Sequence, residues 1–237
     1  QGIPEVNVFD APTVAILYTG NEIIEPGEKK KAPFVWNSSS SMLSYALHSM
    51  DIEPRYLGIV KDEINPLMKK IKRGLESDIL IVTGAVSVGE LDLVPEALKK
   101  VGITSLFHKV AVRPGKPFLF GVHGHRLIFG LAGNPVSSLV GFLLFIKPAI
   151  RKMLGQKPGL IIEEGILSKD VYNKSGRKSL FPARLRAKKS EWFVDPLPYT
   201  GSADLLSASC ADVFLIIDRK QTCASRNSVV KFLRISE

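Results

Sequence analysis

The stretch DILIVTGAVSVGELD, residues 78–92, decides the fold. Its first part, Asp78–Thr83, is nearly all apolar and rich in β-branched residues, as expected of a central parallel strand buried on both faces. Its second part, Gly84–Asp92, is a glycine-containing turn, after which Leu93–Val101 resumes helical spacing. A buried strand, a glycine turn and a helix in succession form the repeating unit of an α/β sheet. Toward the N-terminus, Thr13–Tyr18 and Arg55–Val60 read as further strands, the first ended by Thr19-Gly20. Asn37 is placed to cap a helix carrying Met42, Leu43, Ala46 and Leu47. Asn65-Pro66 reads as a second helix start, with Asn at the cap and Pro at the first helical position, ahead of Leu67, Ile71 and Leu75. Toward the C-terminus, Phe107–Val112, Phe118–Gly121 and Leu127–Leu131 read as strands. Asn134-Pro135 then opens a helix that runs to about Leu154 and stops at Gly155. This alternation predicts a three-layer α/β/α sandwich with a mostly parallel sheet over residues 13–155, after an extended lead-in over residues 1–12.

Beyond Gln156-Lys157-Pro158-Gly159 the pattern changes. Leu160–Leu167, Leu180–Lys189, Trp192–Pro196, Val213–Asp218 and Val229–Leu233 are short alternating segments, with one short helix at about Ser202–Ser209. They predict a small β-barrel-like domain over residues 156–237.

Composition narrows the function classes. The 237 residues are 45% hydrophobic, ample for one α/β core and a smaller second domain. The longest apolar stretch, Val136–Ile146, is far shorter than the ~20 residues that span a bilayer, so no membrane anchorage is expected. The N-terminal QGIPEVNVFD has neither the basic region nor the apolar core of a signal peptide; it also lacks Met, as in a processed chain or one cut from a longer protein. Cys210 and Cys223 are too few for a disulfide framework or a zinc site, and His48, His108, His123 and His125 form no metal pattern. A cytoplasmic location follows as the expectation. The net charge of +9 suits nucleic acid, an acidic membrane, a phosphorylated ligand or simply a solvated surface. Lys29–Lys31, Lys69–Lys70 and Lys99–Lys100 are scattered without the aromatic interleaving of a single-strand binder, so nucleic acid is not expected.

Three loops stand at the carboxyl ends of expected parallel strands, where ligands bind in open α/β sheets. They are Thr19–Glu22, Thr83–Asp92 and Gly130–Ser137. Glycines let backbone N–H groups approach an anion, a helix N-terminus adds partial positive charge, and Thr83 and Ser87 add hydroxyls. The residues alone point to a phosphorylated small molecule with carboxylates nearby for a divalent cation.

TGNEI, TGAVSVGELD, RPGKPFLFG and GLAGNPVSS, in this order, resemble the ligand-binding domain of molybdopterin molybdenumtransferases, the group that includes the C-terminal part of gephyrin. The resemblance is strong over residues 13–155 and weaker beyond, through Thr200–Ser207. It implies insertion of molybdate into adenylated molybdopterin, assisted by Mg²⁺, with release of AMP. It also implies a homodimer, an adenylyltransferase as pathway partner, and two N-terminal domains that this chain lacks.

Carried over residue by residue, the resemblance links Asp62 and Asp92 to Mg²⁺ and catalysis and places Glu22 in the cleft. Thr83, Gly84, Ser87, Gly89, Ser38, Gly133, Asn134 and Pro135 fall to substrate binding, and Lys109, Arg113 and Ser202 to molybdate. Each has a plainer reading. Asp62 and Asp92 suit helix caps, Glu22 an exposed loop acid, Gly84 and Ser87 an ordinary turn, and Ser202 the cap of the helix before Leu205-Leu206. Lys109 and Arg113 suit surface strand charges; if residues 107–112 are a strand, Lys109, Ala111 and Arg113 share one face.

The sequence departs from the family pattern at Ala85, where glycine is usual, at Ala132, usually proline, and at Asn37-Ser38-Ser39, usually Asp-Ser-Asn. The family's barrel arginine aligns with either Arg177 or Arg184, and Arg113 stands where many members have lysine. Two rivals remain: a molybdopterin adenylyltransferase, which normally lacks the β domain, and a non-catalytic pterin-binding or scaffolding module.

Overall fold

A computed structural model describes residues 1–29, 33–84, 93–188 and 190–236. Strands β1 (Val14–Thr19), β2 (Ile23–Ile24) and β3 (Val35–Trp36) precede helix α1 (Ser38–His48). β4 (Arg55–Val60), α2 (Ile64–Gly74), β5 (Ile79–Thr83) and α3 (Leu93–Lys100) follow. Next come β6 (Thr104–His108), β7 (Val112–Arg113), β8 (Phe118–His123) and β9 (Arg126–Leu131). A long helical stretch comprises α4 (Pro135–Gly141), a π turn over Phe142–Ile146, and α5 (Lys147–Met153). The rest of the chain holds β10 (Ile162–Leu167), β11 (Val171–Tyr172), β12 (Lys178–Lys188), β13 (Glu191–Pro196), α6 (Leu205–Ser209), β14 (Val213–Ile217), β15 (Cys223–Ala224) and β16 (Val229–Arg234).

The first sheet has the order β4-β1-β5-β9-β8-β6. Its first four strands are parallel, and β8 and β6 extend it antiparallel. Alternation along β1 feeds two cores. Val14, Ile16 and Tyr18 pack with Leu43 and Leu47 of α1 and with Val136, Phe142 and Ile150 of the long helix. Ala15 and Leu17 pack with Leu67 and Ile71 of α2 and Val94 and Leu98 of α3. The sheet is thus covered on both faces, the expected α/β/α sandwich.

The second sheet runs β13-β10-β16-β14-β12, and pairing of β12 with β13 closes it into a five-stranded barrel. Leu167, Val194, Leu215 and Phe232 are among the side chains that fill it. The barrel is tied to the sandwich twice. β7 pairs in parallel with β12, Val112 against Lys178 and Arg113 against Ser179. Leu180, Phe214, Ile216 and Leu233 belong to the same apolar cluster as Val136 and Ile146.

Two local expectations are corrected. Helix α2 begins at Ile64 behind Glu63, so Asn65-Pro66 lies inside its first turn and Asn65 is not the cap. Residues 107–112 are not one strand. β6 ends at His108, Lys109 adopts φ +88° with its N–H donating to the Phe118 carbonyl at 2.7 Å, and pairing resumes only at Val112, on the barrel. Lys109 and Arg113 therefore do not share a strand face.

The β7–β12 seam is held by a buried polar cluster. Asn173, 2% exposed, accepts from the Ser175 and Ser179 hydroxyls at 2.7 and 2.9 Å and donates to the Arg177 carbonyl at 2.8 Å. Arg177 Nη1 donates to the Val112 carbonyl at 3.2 Å. Arg184 Nε donates to the Cys210 carbonyl at 3.0 Å. Both candidate arginines thus have backbone-holding roles. Asn173→Ala leaves buried partners unsatisfied and is expected to cost about 2 kcal/mol of stability. Chemical denaturation tests this; a loss below about 0.5 kcal/mol would show the cluster to be incidental.

Candidate functional site

Three chain reversals meet where the parallel strands end. After β1, Gly20 N–H donates to the Val60 carbonyl at 3.2 Å. After β5, Gly84 has φ +120°, and its N–H donates to the Leu131 carbonyl at 3.3 Å. A Cβ on Gly84 would fall 2.1 Å from the Thr19 carbonyl oxygen, so this position requires glycine. After β9, Gly133 comes so close that its own Cβ would sit 3.5 Å from Gly84 Cα. The reversals are packed backbone against backbone.

A cavity of about 530 Å³ opens at this edge. Glu22, Ser38, Asp62, Gly84, Gly133, Asn134 and Pro135 line it, as do Ala203 and Leu205 from the barrel segment. Seven of the residues singled out in the sequence are thereby brought together, from loops up to 113 positions apart, Glu22 to Pro135. The volume suits a small organic ligand rather than a bare ion.

Asp62 is half-buried and is not a helix cap. Its Oδ1 accepts from the Thr19 hydroxyl at 3.0 Å, and its N–H donates to Asn21 Oδ1 at 3.2 Å. The loop after β1 therefore aims and anchors the acid that follows β4. Glu22 is exposed, and its carbonyl accepts from Val35 N–H at 2.7 Å. Asn37, 3% exposed, caps α1 through Ser40 N–H at 3.2 Å and donates to the Tyr56 hydroxyl at 3.2 Å. Asn and Asp cap comparably well, so the departure at Asn37 leaves the helix start intact.

The start of α4 differs from the expected anion cradle. Pro135 has no N–H, and Val136 N–H donates to the Ser202 carbonyl at 3.1 Å. Asn134 does not cap with its side chain; its amide donates to the Ser202 hydroxyl at 2.8 Å. The barrel's own loop occupies a donor that the sequence reading assigned to a ligand. Gly84 is corrected similarly: its N–H is engaged within the sheet, and it contributes close approach rather than a donor.

Asp204, not Ser202, caps α6, accepting from the backbone N–H groups of Thr200 and Ser207, both at 3.0 Å. Those backbone bonds, with the Ser207 and Thr200 hydroxyls, hold its carboxyl down at about 2. The fixed loop presents Ser202 to Asn134. Burial pushes the Tyr199 phenol up to about 12, with the Arg113 charge opposing and Asp204 adding to the rise. The Arg113 charge thus acts on the segment that leads into Ser202.

Lys109 and Arg113 are exposed and line no part of the cavity, and Thr83 is buried in β5 between Tyr18 and Leu131. Ala85, Ser87, Gly89 and Asp92 lie outside the described residues. The sequence reading assigns no site role to Tyr18, Val35 or Trp36, and places Thr19 and Ile23 only within the TGNEI motif; all five line the cavity. The available signal was a tryptophan directly before the Asn37 cap.

Among the described residues no group of three or more His, Cys, Asp or Glu is arranged to hold a metal ion. Two carboxylates, Asp62 and Glu22, do share the cavity. That donor set fits a magnesium ion, which keeps several waters and takes its remaining ligands from a phosphate.

The parallel sheet, its glycine reversals and the cavity at its carboxyl edge define an α/β small-ligand-binding protein. Residues 15–152 match the model of the probable molybdopterin binding domain, and residues 164–235 match the MoeA C-terminal region (domain IV). The chain belongs to the molybdopterin-binding domain family, in the form that continues into the MoeA C-terminal region. It is 32% identical over 218 residues to the molybdopterin molybdenumtransferase of Bacillus subtilis, covering 91% of this chain and 51% of that protein. It is 30% identical over 220 residues to the protein of the same name from Staphylococcus epidermidis, covering 91% and 52%. A crystal structure of a molybdopterin biosynthesis MoeA protein from Pyrococcus horikoshii superposes with a TM-score of 0.82 at 25% identity, covering 95% of this chain and 55% of that one. The chain spans about half the length of the curated relatives it matches. No helix among the described residues is long and apolar enough to cross a membrane.

Proposed function

We propose that this chain carries the ligand-binding and barrel parts of a molybdopterin molybdenumtransferase, which inserts molybdate into adenylated molybdopterin and releases AMP. The observation that carries this reading is the cavity itself. It gathers Asp62, Glu22, Gly84, Ser38 and Asn134 at the sheet edge, and the barrel covers it with Ala203 and Leu205. The matched barrel region favours this reading over an adenylyltransferase lacking that region.

The geometry supports part of this assignment and the family resemblance the rest. Thr19 and Asn21 fix Asp62, which with Asp92, as the resemblance implies, would hold Mg²⁺, with Glu22 in the same cavity; the ion would supply charge neutralisation to the ligand's phosphates. Gly84 and Gly133 let the reversals pack backbone against backbone at the cavity wall. Asn134 and Ser202 lock the barrel loop over the cavity. Molybdate, as substrate, is assigned by the resemblance to Lys109, Arg113 and Ser202, of which Ser202 accepts from the cavity-lining Asn134. The reading requires no protein nucleophile; positioning two substrates against each other is itself a large contribution to rate. Family resemblance further supports a cytoplasmic homodimer that receives its pterin from an adenylyltransferase.

The test is AMP release from adenylated molybdopterin by the protein as it occurs in the cell. Molybdate-dependent release is expected. Tight pterin binding without any release would leave a binding or scaffolding module instead.

A further inference from the structure

The carboxylates account for only part of the cavity. β2 and β3 form a two-stranded parallel ribbon, Ile23 against Val35 and Ile24 against Trp36. Ile23, Val35 and Trp36 all line the cavity, yet Val35 is 57% exposed and Trp36 38%. Large apolar side chains left open at a cavity mouth mark a surface that something else covers. A tryptophan there offers a wide, rigid face for a flat ring.

Tyr18 lines the same cavity from β1. It is 1% exposed, and its hydroxyl has no hydrogen-bond partner among the described residues. The nearest aromatic neighbour, Tyr56, lies 5.9 Å away between ring centroids, but its hydroxyl is already engaged, donating to Glu25 and accepting from Asn37. Buried hydroxyls nearly always find partners, so an orphan in a cavity wall is a candidate donor to a bound ligand. Burial, with Tyr56 and Glu25 nearby, raises the Tyr18 phenol well above its ordinary value, so it is held as a donor.

We propose that Trp36 and Tyr18 form the ring subsite of this cavity, Trp36 stacking on the face of a flat heterocycle and the Tyr18 hydroxyl donating to its polar edge, while Asp62 and Glu22 face the phosphate-bearing end. The assignment rests on the pterin reading above and adds the orientation of the ligand and the residues that select its ring.

Molybdopterin, handled without oxygen, is titrated into the full chain, following tryptophan emission and equilibrium dialysis together. The chain has two tryptophans, and the other, Trp192, lies in the barrel beneath the Arg234 guanidinium, 5.0 Å from its ring centroid. Wild-type emission is expected to be quenched on binding. Trp36→Leu is expected to lose the quench and about tenfold in affinity, with Trp36→Phe intermediate. Tyr18→Phe is expected to lose about tenfold in affinity while folding at least as stably as wild type. Inorganic phosphate, which has no ring, is expected to bind all variants alike. If wild type binds molybdopterin and both Trp36→Leu and Tyr18→Phe match it within about twofold, the ring subsite is refuted while the pterin reading stands. If wild type binds no molybdopterin even at millimolar concentration, the pterin reading fails, and this assignment with it.

Discussion

Asp62→Asn, in the protein as it occurs in the cell, is expected to abolish the Mg²⁺ dependence of AMP release and to lower turnover by about a hundredfold or more. The molybdate concentration for half-maximal rate should stay nearly unchanged. Asp62 lines the cavity, and two partners from the neighbouring loop, Thr19 and Asn21, fix its orientation. Asparagine keeps the shape and one acceptor for Thr19 but removes the charge a hard cation needs. Asp92→Asn belongs to the same class by sequence reading. Lys109→Ala and Arg113→Ala form the opposite class: both should raise the molybdate requirement and leave the Mg²⁺ titration alone. Arg113 sits on β7, outside the cavity and close to Tyr199, so its effect should be exerted from the barrel side. The dianion and the carboxylates repel one another, which motivates the division. Turnover titrated separately with each ion decides. If all four variants shift both titrations equally, these residues only hold the cleft together and the two-site division is wrong.

The sequence was legible where chemistry is periodic and local. β1 and β5 are apolar runs buried on both faces, so hydrophobicity alone located them within a residue. Glycine at 84 marked a reversal that a side chain would obstruct, and Asn134-Pro135 marked a helix start. What stayed hidden depends on distant partners. Nothing in Lys109 announces a positive φ, and the alternation argument failed there because the next pairing partner, β12, lies 66 residues further along the chain, Ser179 against Arg113. The Val136 N–H looked available because Ser202, which accepts from it, belongs to the barrel. Trp36 was passed over because one tryptophan before a cap has no pattern; only the ribbon with β2 places it on the cavity. The closing pair β12–β13 likewise leaves no mark in either strand's own alternation.

Gly84→Ala is expected to destabilise the fold by on the order of 3 kcal/mol and to disable the site together with it. Two effects add. The φ of +120° is one that side-chain-bearing residues rarely adopt, and the new Cβ would lie 2.1 Å from the Thr19 carbonyl oxygen and 2.8 Å from its hydroxyl. Neither is the far end of a flexible side chain, so β1 or β5 must shift. Thr19 is also the residue that orients Asp62, so the strain is delivered to the proposed metal-binding carboxylate. Gly133→Ala is the internal control. Its Cβ would meet Gly84 Cα at 3.5 Å, an ordinary contact, at a position without the positive φ, so a loss of no more than about 1 kcal/mol is expected. Chemical denaturation of both variants, with Mg²⁺-dependent AMP release measured on each, separates a strained reversal from a merely crowded one. Equal stability losses in the two variants would show that Gly84 is not the pinch point between β1 and β5. A destabilised Gly84→Ala that keeps its full Mg²⁺ dependence would show that Thr19 does not govern Asp62.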